Sequence, residues 1–382
     1  MLNLYKDMFA HMSDTFTHRV DVLPPPSSEH LLSQWKEDLI QYTQEIQKLA
    51  ELDEEQGEAL ASVQDLYFDS LSLFLKKAKN QRPPLEQRKK AMEAALSRPQ
   101  TAQRSADWYL QALKILTASE FSNLYGSERG YANFVLSKAL PPVQQEIKYR
   151  LACSSQELSP MDWGTRFEPV IKQALGTNWG FRVVDSGRLI HPTDTSLAAS
   201  PDGFIVEATD PAHVGRLIEI KCPISRKIGE GVPFDYWCQM QIQMEVADID
   251  ECLYIECRIA SVHPKQPEYV RPDAPFAEGL VWLLQAPDLQ MTYAYTLEER
   301  DSLRVRGYEV METIPWAIEE YASEIVQRDR KWFAGTVSTR ETFWANVEKA
   351  KRGEFKIPEP SGRVKKDRAC LIQDSPPTPS VQ

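Results

Sequence analysis

The strongest constraint on the fold of this chain lies between residues 197 and 260. Strand-like runs at 203–208 and 216–222 are followed by a helix, "FDYWCQMQIQMEVA" at 234–247, and by a further strand, "CLYIECRIA" at 252–260. Strands and helices in this order pack by laying helices over a sheet, so the region predicts an α/β or α+β layer with helices covering a mixed central sheet. The second run is unusual for a buried strand, because Glu219 and Lys221 alternate with Ile218 and Ile220. Side chains two apart on a strand share a face, so Glu219 and Lys221 project together and the isoleucines project the other way. A Ser-Pro-Asp-Gly turn at 200–203 places another carboxylate, Asp202, just before the preceding strand.

Each charged group has an ordinary reading by itself. Glu219 with Lys221 is a salt bridge, Asp202 stabilises a Pro-Asp-Gly turn, and Glu168 is an exposed acid on a helix. Together they make three carboxylates and one ammonium. Clustered carboxylates repel, and a divalent cation that prefers hard oxygen ligands relieves the repulsion. Magnesium takes few protein carboxylates and leaves positions for water and phosphate oxygens. A metal so placed lowers the pKa of a bound water and neutralises charge growing on a phosphate, which suits cleavage of a phosphodiester.

The rest of the chain sorts into four segments. Residues 1–28 are a lead-in ending in the stiff "DVLPPPSS". Residues 29–104 form a helical region, in which Leu32, Trp35, Leu39, Tyr42, Ile46 and Leu49 recur at alternating three and four. "LDEEQGE" (52–58) breaks that seam, which predicts a hairpin turning near Gly57, or else one long helix, and "RPP" (82–84) opens a third helix to about Ser97. Residues 105–355 carry short helices at about 106–115, 118–125 and 128–139, a helix at about 162–175 closed by Gly176, and strands at 180–185 and 187–191 ahead of the core just described. The order of elements in 264–313 is not legible, and helices are expected at about 314–333 and 340–353. Residues 356–382 are rich in proline and serine and read as disordered.

Composition removes several classes. There is no apolar run long enough to span a membrane and no basic-then-apolar leader at the start. Six cysteines without a CxxC pair point to reduced thiols in the cytosol or a nucleus. No GxxxxGK[ST] loop is present for an ATP motor. The net charge of −11 argues against a general nucleic-acid binder, but it is unevenly spread. Residues 29–58 are acidic, while 76–104 hold a basic block that could follow a DNA backbone or simply be a solvated face.

Five stretches stand in an order that resembles a known family: "TASEF" (117–121), "WGTRFE" (163–168), "AASPDGF" (198–204), "LIEIKCP" (217–223) and "YWCQMQIQM" (236–244). They look like the PD-(D/E)xK nuclease core, and specifically the lambda-type exonucleases and the YqaJ-like viral recombination nucleases. The resemblance covers about 105–260. It implies that Asp202 and Glu219 hold the main metal with the Ile220 carbonyl, and that Glu168 reaches a second metal or its waters. Lys221 would orient the attacking water and stabilise the phosphorane, and Gln239 would help position Lys221. Gln243, on the same helical face, would be solvated or touch phosphate, and Ser119 would help hold the terminal phosphate. One departure stands out, for the lambda type carries an arginine and a glycine where this chain has Ala112 and Lys114. Lys114, Arg104 or Arg129 are the available replacements. The implied activity is a magnesium-dependent exonuclease, manganese being the alternative cation. Its substrate would be linear duplex DNA, cut 5′ to 3′, for recombination or end processing by a virus or phage. The alternatives are an endonuclease or RNA-cutting enzyme on the same core, or an inactive DNA-binding scaffold. Implied partners are duplex DNA, a single-strand annealing protein and further copies of the chain, with no membrane.

Overall fold

The computed structural model describes residues 82–139, 152–265 and 267–357, with scattered positions between 36 and 65. The elements in chain order begin with α1 (Leu85–Leu96), α2 (Ala106–Ala112), β1 (Leu116–Thr117), a tight helical turn at Ala118–Tyr125, and α3 (Glu128–Ala139). Then come α4 (Pro160–Trp179), β2 (Arg182–Val184), β3 (Leu189–Ile190), β4 (Leu197–Ala199), β5 (Gly203–Glu207) and β6 (Leu217–Lys221). The remainder is α5 (Phe234–Ala247), β7 (Glu251–Ser261), β8 (Ala277–Gln285), β9 (Met291–Ala294), α6 (Leu297–Val305), β10 (Glu309–Gln327), α7 (Arg330–Gly335) and α8 (Val337–Lys351).

Seven strands make the main sheet in the order β2-β5-β6-β7-β10-β8-β9, and β1-β4-β3 make a smaller one. In the main sheet β6 and β7 are parallel and the other neighbours are antiparallel. The parallel pair needs a crossover, and α5 supplies it. Each face of the sheet is covered. Leu217 on β6 joins a core with α1, α3, α5 and α8, while Ile218 and Ile220 join a second core with Phe167, Val170, Ile171 and Leu175 of α4. The strict alternation on β6 therefore sends Glu219 and Lys221 to the α5 side.

Helix ends follow from local chemistry. Ser159 caps α4 through a reciprocal capping box with Asp162, and Pro160 sits in its first turn. The helix runs past Gly176, the expected stop, and ends at Gly180, which adopts the left-handed conformation at φ 64°. One interior glycine costs only about 1 kcal/mol, less than burying Trp179 on the next turn returns. Helix α5 has the expected limits and ends on Asp248, also left-handed at φ 57°.

Three expectations need correction. Residues 314–327 are not helical, since they belong to β10, which pairs with β7 from Trp316 to Gln327 and with β8 from Glu309 to Ile318. Its glutamates mimic a helix, but Ile314, Trp316 and Ile318 are buried at strand spacing, and strand preference is set by such neighbours more than by composition. The helices at this end are α7 and α8. Across the boundary at 104, Met92 and Ala95 of α1 share one core with residues of α5 and β4. The basic block of that region is partly turned inward. Arg88 donates to the carbonyls of Ala212 and Val214, Arg98 to those of Val246 and Ile190, and Arg82 bonds Ala212 and pairs with Glu251. In the acidic stretch Asp53 is outside helix and Gly57 donates 2.9 Å to its carbonyl, so Gly57 lies in a helical turn after the break and not at it. The lead-in at 1–28, Lys76, Lys77, Lys79 and the tail beyond Ile357 lie outside the described residues.

Candidate active site

The site forms where β5 and β6 part. Their antiparallel register pairs Gly203 with Ile218, and one step further sets Asp202 opposite Glu219. Asp202 lies in the bend just before the paired strand, and its carboxylate reaches the edge of β6 beside Glu219. Beyond that point β5 no longer occupies the edge, and the Ile220 N–H donates instead to Asp202 Oδ2 at 2.7 Å. The carbonyl of a strand residue points to the same side as its N–H, so the Ile220 carbonyl faces this gap too. Gly203 is required here by close approach rather than by φ, because a Cβ would sit 2.9 Å from the Val184 carbonyl oxygen and 2.5 Å from Val183 Cγ1.

Lys221 Nζ is 2.6 Å from Glu219 Oε1 and 3.1 Å from Gln239 Oε1, and lies 4.6 Å from the Tyr236 ring centre. Gln239 and Gln243 stand one turn apart on α5. They donate to opposite oxygens of Glu219, Gln239 at 2.6 Å to Oε1 and Gln243 at 2.7 Å to Oε2. A carboxylate only accepts, so both amides must turn their NH₂ groups to it, which leaves the Gln239 oxygen for the lysine. Glu219 is 1% exposed and Gln243 0% exposed, whereas the Lys221 side chain keeps 22%. Gln243 therefore lies behind Glu219, not in solvent and not on a phosphate-facing surface. Burial, then Glu219 and Glu168, push the Asp202 carboxyl well up. Burial works against the Lys221 charge, but Glu219 and Asp202 outweigh it and its pKa rises, so the ammonium is favoured.

Glu168, on α4 across the sheet, is already paired. Lys172 Nζ is 2.7 Å from its Oε1 and Arg104 Nη2 3.1 Å from its Oε2. Local pattern marks Lys172 only as a helical ion pair, through its i+4 spacing from Glu168, and nothing short-range makes it a site residue. Tyr236 opens the "YWCQMQIQM" stretch, but its place against the Lys221 ammonium is a product of tertiary structure. Ser119 is exposed on the turn after β1, which packs against α5, with its Oγ 3.4 Å from Thr117 Oγ1. Lys114 and Arg129 are exposed and take no part in the hydrogen bonds of the acid–lysine cluster.

Among the described residues no three His, Cys, Asp or Glu side chains stand close enough together to hold a metal. A smaller donor set does suit a hard divalent cation: the Asp202 and Glu219 carboxylates and the Ile220 carbonyl, all oxygens, in a pocket that already disfavours the Asp202 charge. Glu168 is not part of that set.

The mixed α/β core thus carries a Pro-Asp turn, a Glu-x-Lys strand end and a glutamine helix side by side. Residues 107–250 match the YqaJ-like viral recombinase domain. A protein of Acanthamoeba polyphaga mimivirus of unassigned function is 27% identical over 198 residues, which is 48% of this chain and 34% of that one, so the match spans about a third of the relative's length. Among solved structures, an alkaline exonuclease from Laribacter hongkongensis is similar at 20% identity and a TM-score of 0.38, over 65% of this chain and 95% of that one. A phage-related exonuclease from Haemophilus somnus is similar at 13% identity and a TM-score of 0.31, over 64% and 95%. Among the described residues no helix is long and apolar enough to cross a membrane.

Proposed function

We propose that this chain is a metal-dependent nuclease that hydrolyses phosphodiester bonds of linear duplex DNA from an end, 5′ to 3′, in viral recombination or DNA end processing. Magnesium is the proposed cation, with manganese able to replace it. The reading rests on one observation: Asp202, Glu219 and Lys221 converge at the end of β6, Asp202 on the Ile220 N–H and Glu219 on the Lys221 amine, with that amine at the exposed side.

Asp202, Glu219 and the Ile220 carbonyl would hold the cation. When bound, it acidifies a water and offsets charge on the phosphate. Lys221 supplies a fixed ammonium that donates to the attacking water or to the phosphate oxygens, a point charge that needs no reorganisation during reaction. Gln239 holds that ammonium in place through its oxygen and Glu219 through its NH₂. Gln243 fixes the other Glu219 oxygen. Ser119, with Lys114 and Arg129 near its turn, would contact phosphates of the DNA end.

Purified protein with magnesium should shorten linear duplex DNA and spare closed circles and RNA. Lys221→Ala and Asp202→Ala should abolish this without loss of fold. Equal cleavage by parent and variants removes this site from the reaction, and attack on closed circles or RNA replaces the exonuclease reading.

A further inference from the structure

Two further cations stand among the three carboxylates and the ammonium of this site. Glu168 has its own two cations, Lys172 at 2.7 Å on one oxygen and Arg104 at 3.1 Å on the other. Lys172 is held by more than Glu168, and the backbone that carries Arg104 is tied down beside it. Lys172 also bonds Asp185 Oδ1 at 2.8 Å, and its side chain is 17% exposed. Arg104 adopts a left-handed backbone at φ 61°, next to Gln103, whose amide donates to the carbonyls of Ser186 at 2.7 Å and Pro201 at 3.1 Å. The segment that carries Arg104 is therefore stitched to the same turn that carries Asp202. Trp108 adds a further tie, its indole N–H donating 3.0 Å to Ser200 Oγ.

Glu168, Asp202 and Glu219 face Arg104, Lys172 and Lys221, and Asp185 on Lys172 is a fourth acid, so the six groups nearest the pocket balance and the wider cluster carries one negative charge. Charge compensation is uneven, however. Glu168 accepts from two fixed cations, Glu219 from one cation and two amides, and Asp202 from the Ile220 backbone N–H. A divalent ion at Glu168 would have to face both cations already paired with its oxygens. One between Asp202 and Glu219 faces two carboxylates and a carbonyl.

We propose that Arg104 and Lys172 act as built-in cations in the place of a second metal, so that the site binds one divalent ion, at Asp202, Glu219 and the Ile220 carbonyl, and Glu168 is not a metal ligand. This deepens the metal-dependent reading and rests on it. Arg104 and Lys172 are positioning residues for the Glu168 side of the pocket, with no direct role in bond breaking.

The test is the stoichiometry of manganese binding to the full chain, by calorimetry and by the electron paramagnetic resonance signal of free Mn²⁺, with no DNA present. The expected result is one ion per chain. Asp202→Asn should lose it. Glu168→Gln should keep it, with affinity changed by less than about threefold, against the roughly tenfold or larger loss expected of a group that touches the ion or its waters. The double variant Arg104→Met, Lys172→Met, checked for native thermal unfolding, should gain a second ion. Two ions on the parent, or a tenfold loss in Glu168→Gln, overturns the proposal and leaves the metal-dependent reading standing. No binding by the parent overturns both.

Discussion

Replacing Asp202 by asparagine separates the charge of this side chain from its shape. Asparagine keeps an oxygen for the Ile220 N–H, now 2.7 Å from Asp202 Oδ2. What disappears is repulsion between this charge and Glu219. Two neighbouring unit charges about 5 Å apart repel by about 3 kcal/mol at an effective dielectric of about 20. Lys221, 2.6 Å from Glu219, already offsets part of this. Asp202→Asn should therefore stabilise the metal-free protein by roughly 1–2 kcal/mol, or about 2–6 °C in Tm for a domain of this size. The assay is thermal unfolding in EDTA and again with magnesium. In EDTA the variant should melt above the parent. With magnesium only the parent should gain, since a ligand stabilises the state that binds it. Acid changes the gap in a definite direction. Burial and the neighbouring acids raise the folded pKa of Asp202 above its unfolded value, so its penalty is full above the folded pKa and fades as pH falls toward the ordinary carboxylate range. The difference between variant and parent should narrow on acidification. A variant that melts below the parent in EDTA, yet keeps the magnesium shift, would refute the reasoning.

Three further outcomes are expected. Gln243→Leu strips a buried donor from Glu219 Oε2, which should cost about 1–3 kcal/mol in urea unfolding and at least about tenfold in cleavage rate; an unchanged rate would mean that Glu219 needs no support from α5. His213 is 1% exposed and accepts from Arg216 Nη1 at 2.7 Å, and burial followed by Arg216, Arg82 and Arg88 lowers its pKa from 6.5 to about 3. It stays neutral in the fold while the unfolded chain takes up a proton, so stability falls as pH drops below 6.5, by about 2 kcal/mol at pH 5. His213→Asn should flatten that slope, and denaturant midpoints across the range that run parallel in parent and variant would count against it. Gly203→Ala presses a methyl on the Val184 carbonyl and should cost about 1–3 kcal/mol; an unmoved unfolding midpoint would show that β2 can yield.

The legible parts of this protein were those governed by local periodicity. Helix α5 and the strands β5, β6 and β7 lie within a residue or so of where pattern alone puts them, because their apolar spacing, a proline start and a left-handed Asp248 are short-range signals. Period two on β6 was enough to place Glu219 with Lys221 and apart from Ile218 and Ile220. Strand β10 was misread because its glutamates resemble an exposed helix, and only pairing on both edges, to β7 and β8, makes it a strand.

From the sequence alone followed the charged side chains that share the end of β6, the helix that crosses back over them, and the class of chemistry these side chains suit. Tertiary structure alone decided which acids meet. It set Asp202 opposite Glu219 through register, buried Gln243 behind the carboxylate, and gave Glu168 to Arg104 and Lys172. The physical reason is range. Strand and helix periods act over a few residues, whereas the balance of charge in a pocket depends on groups brought together from residues 104, 168, 202 and 219, and no local pattern records that company.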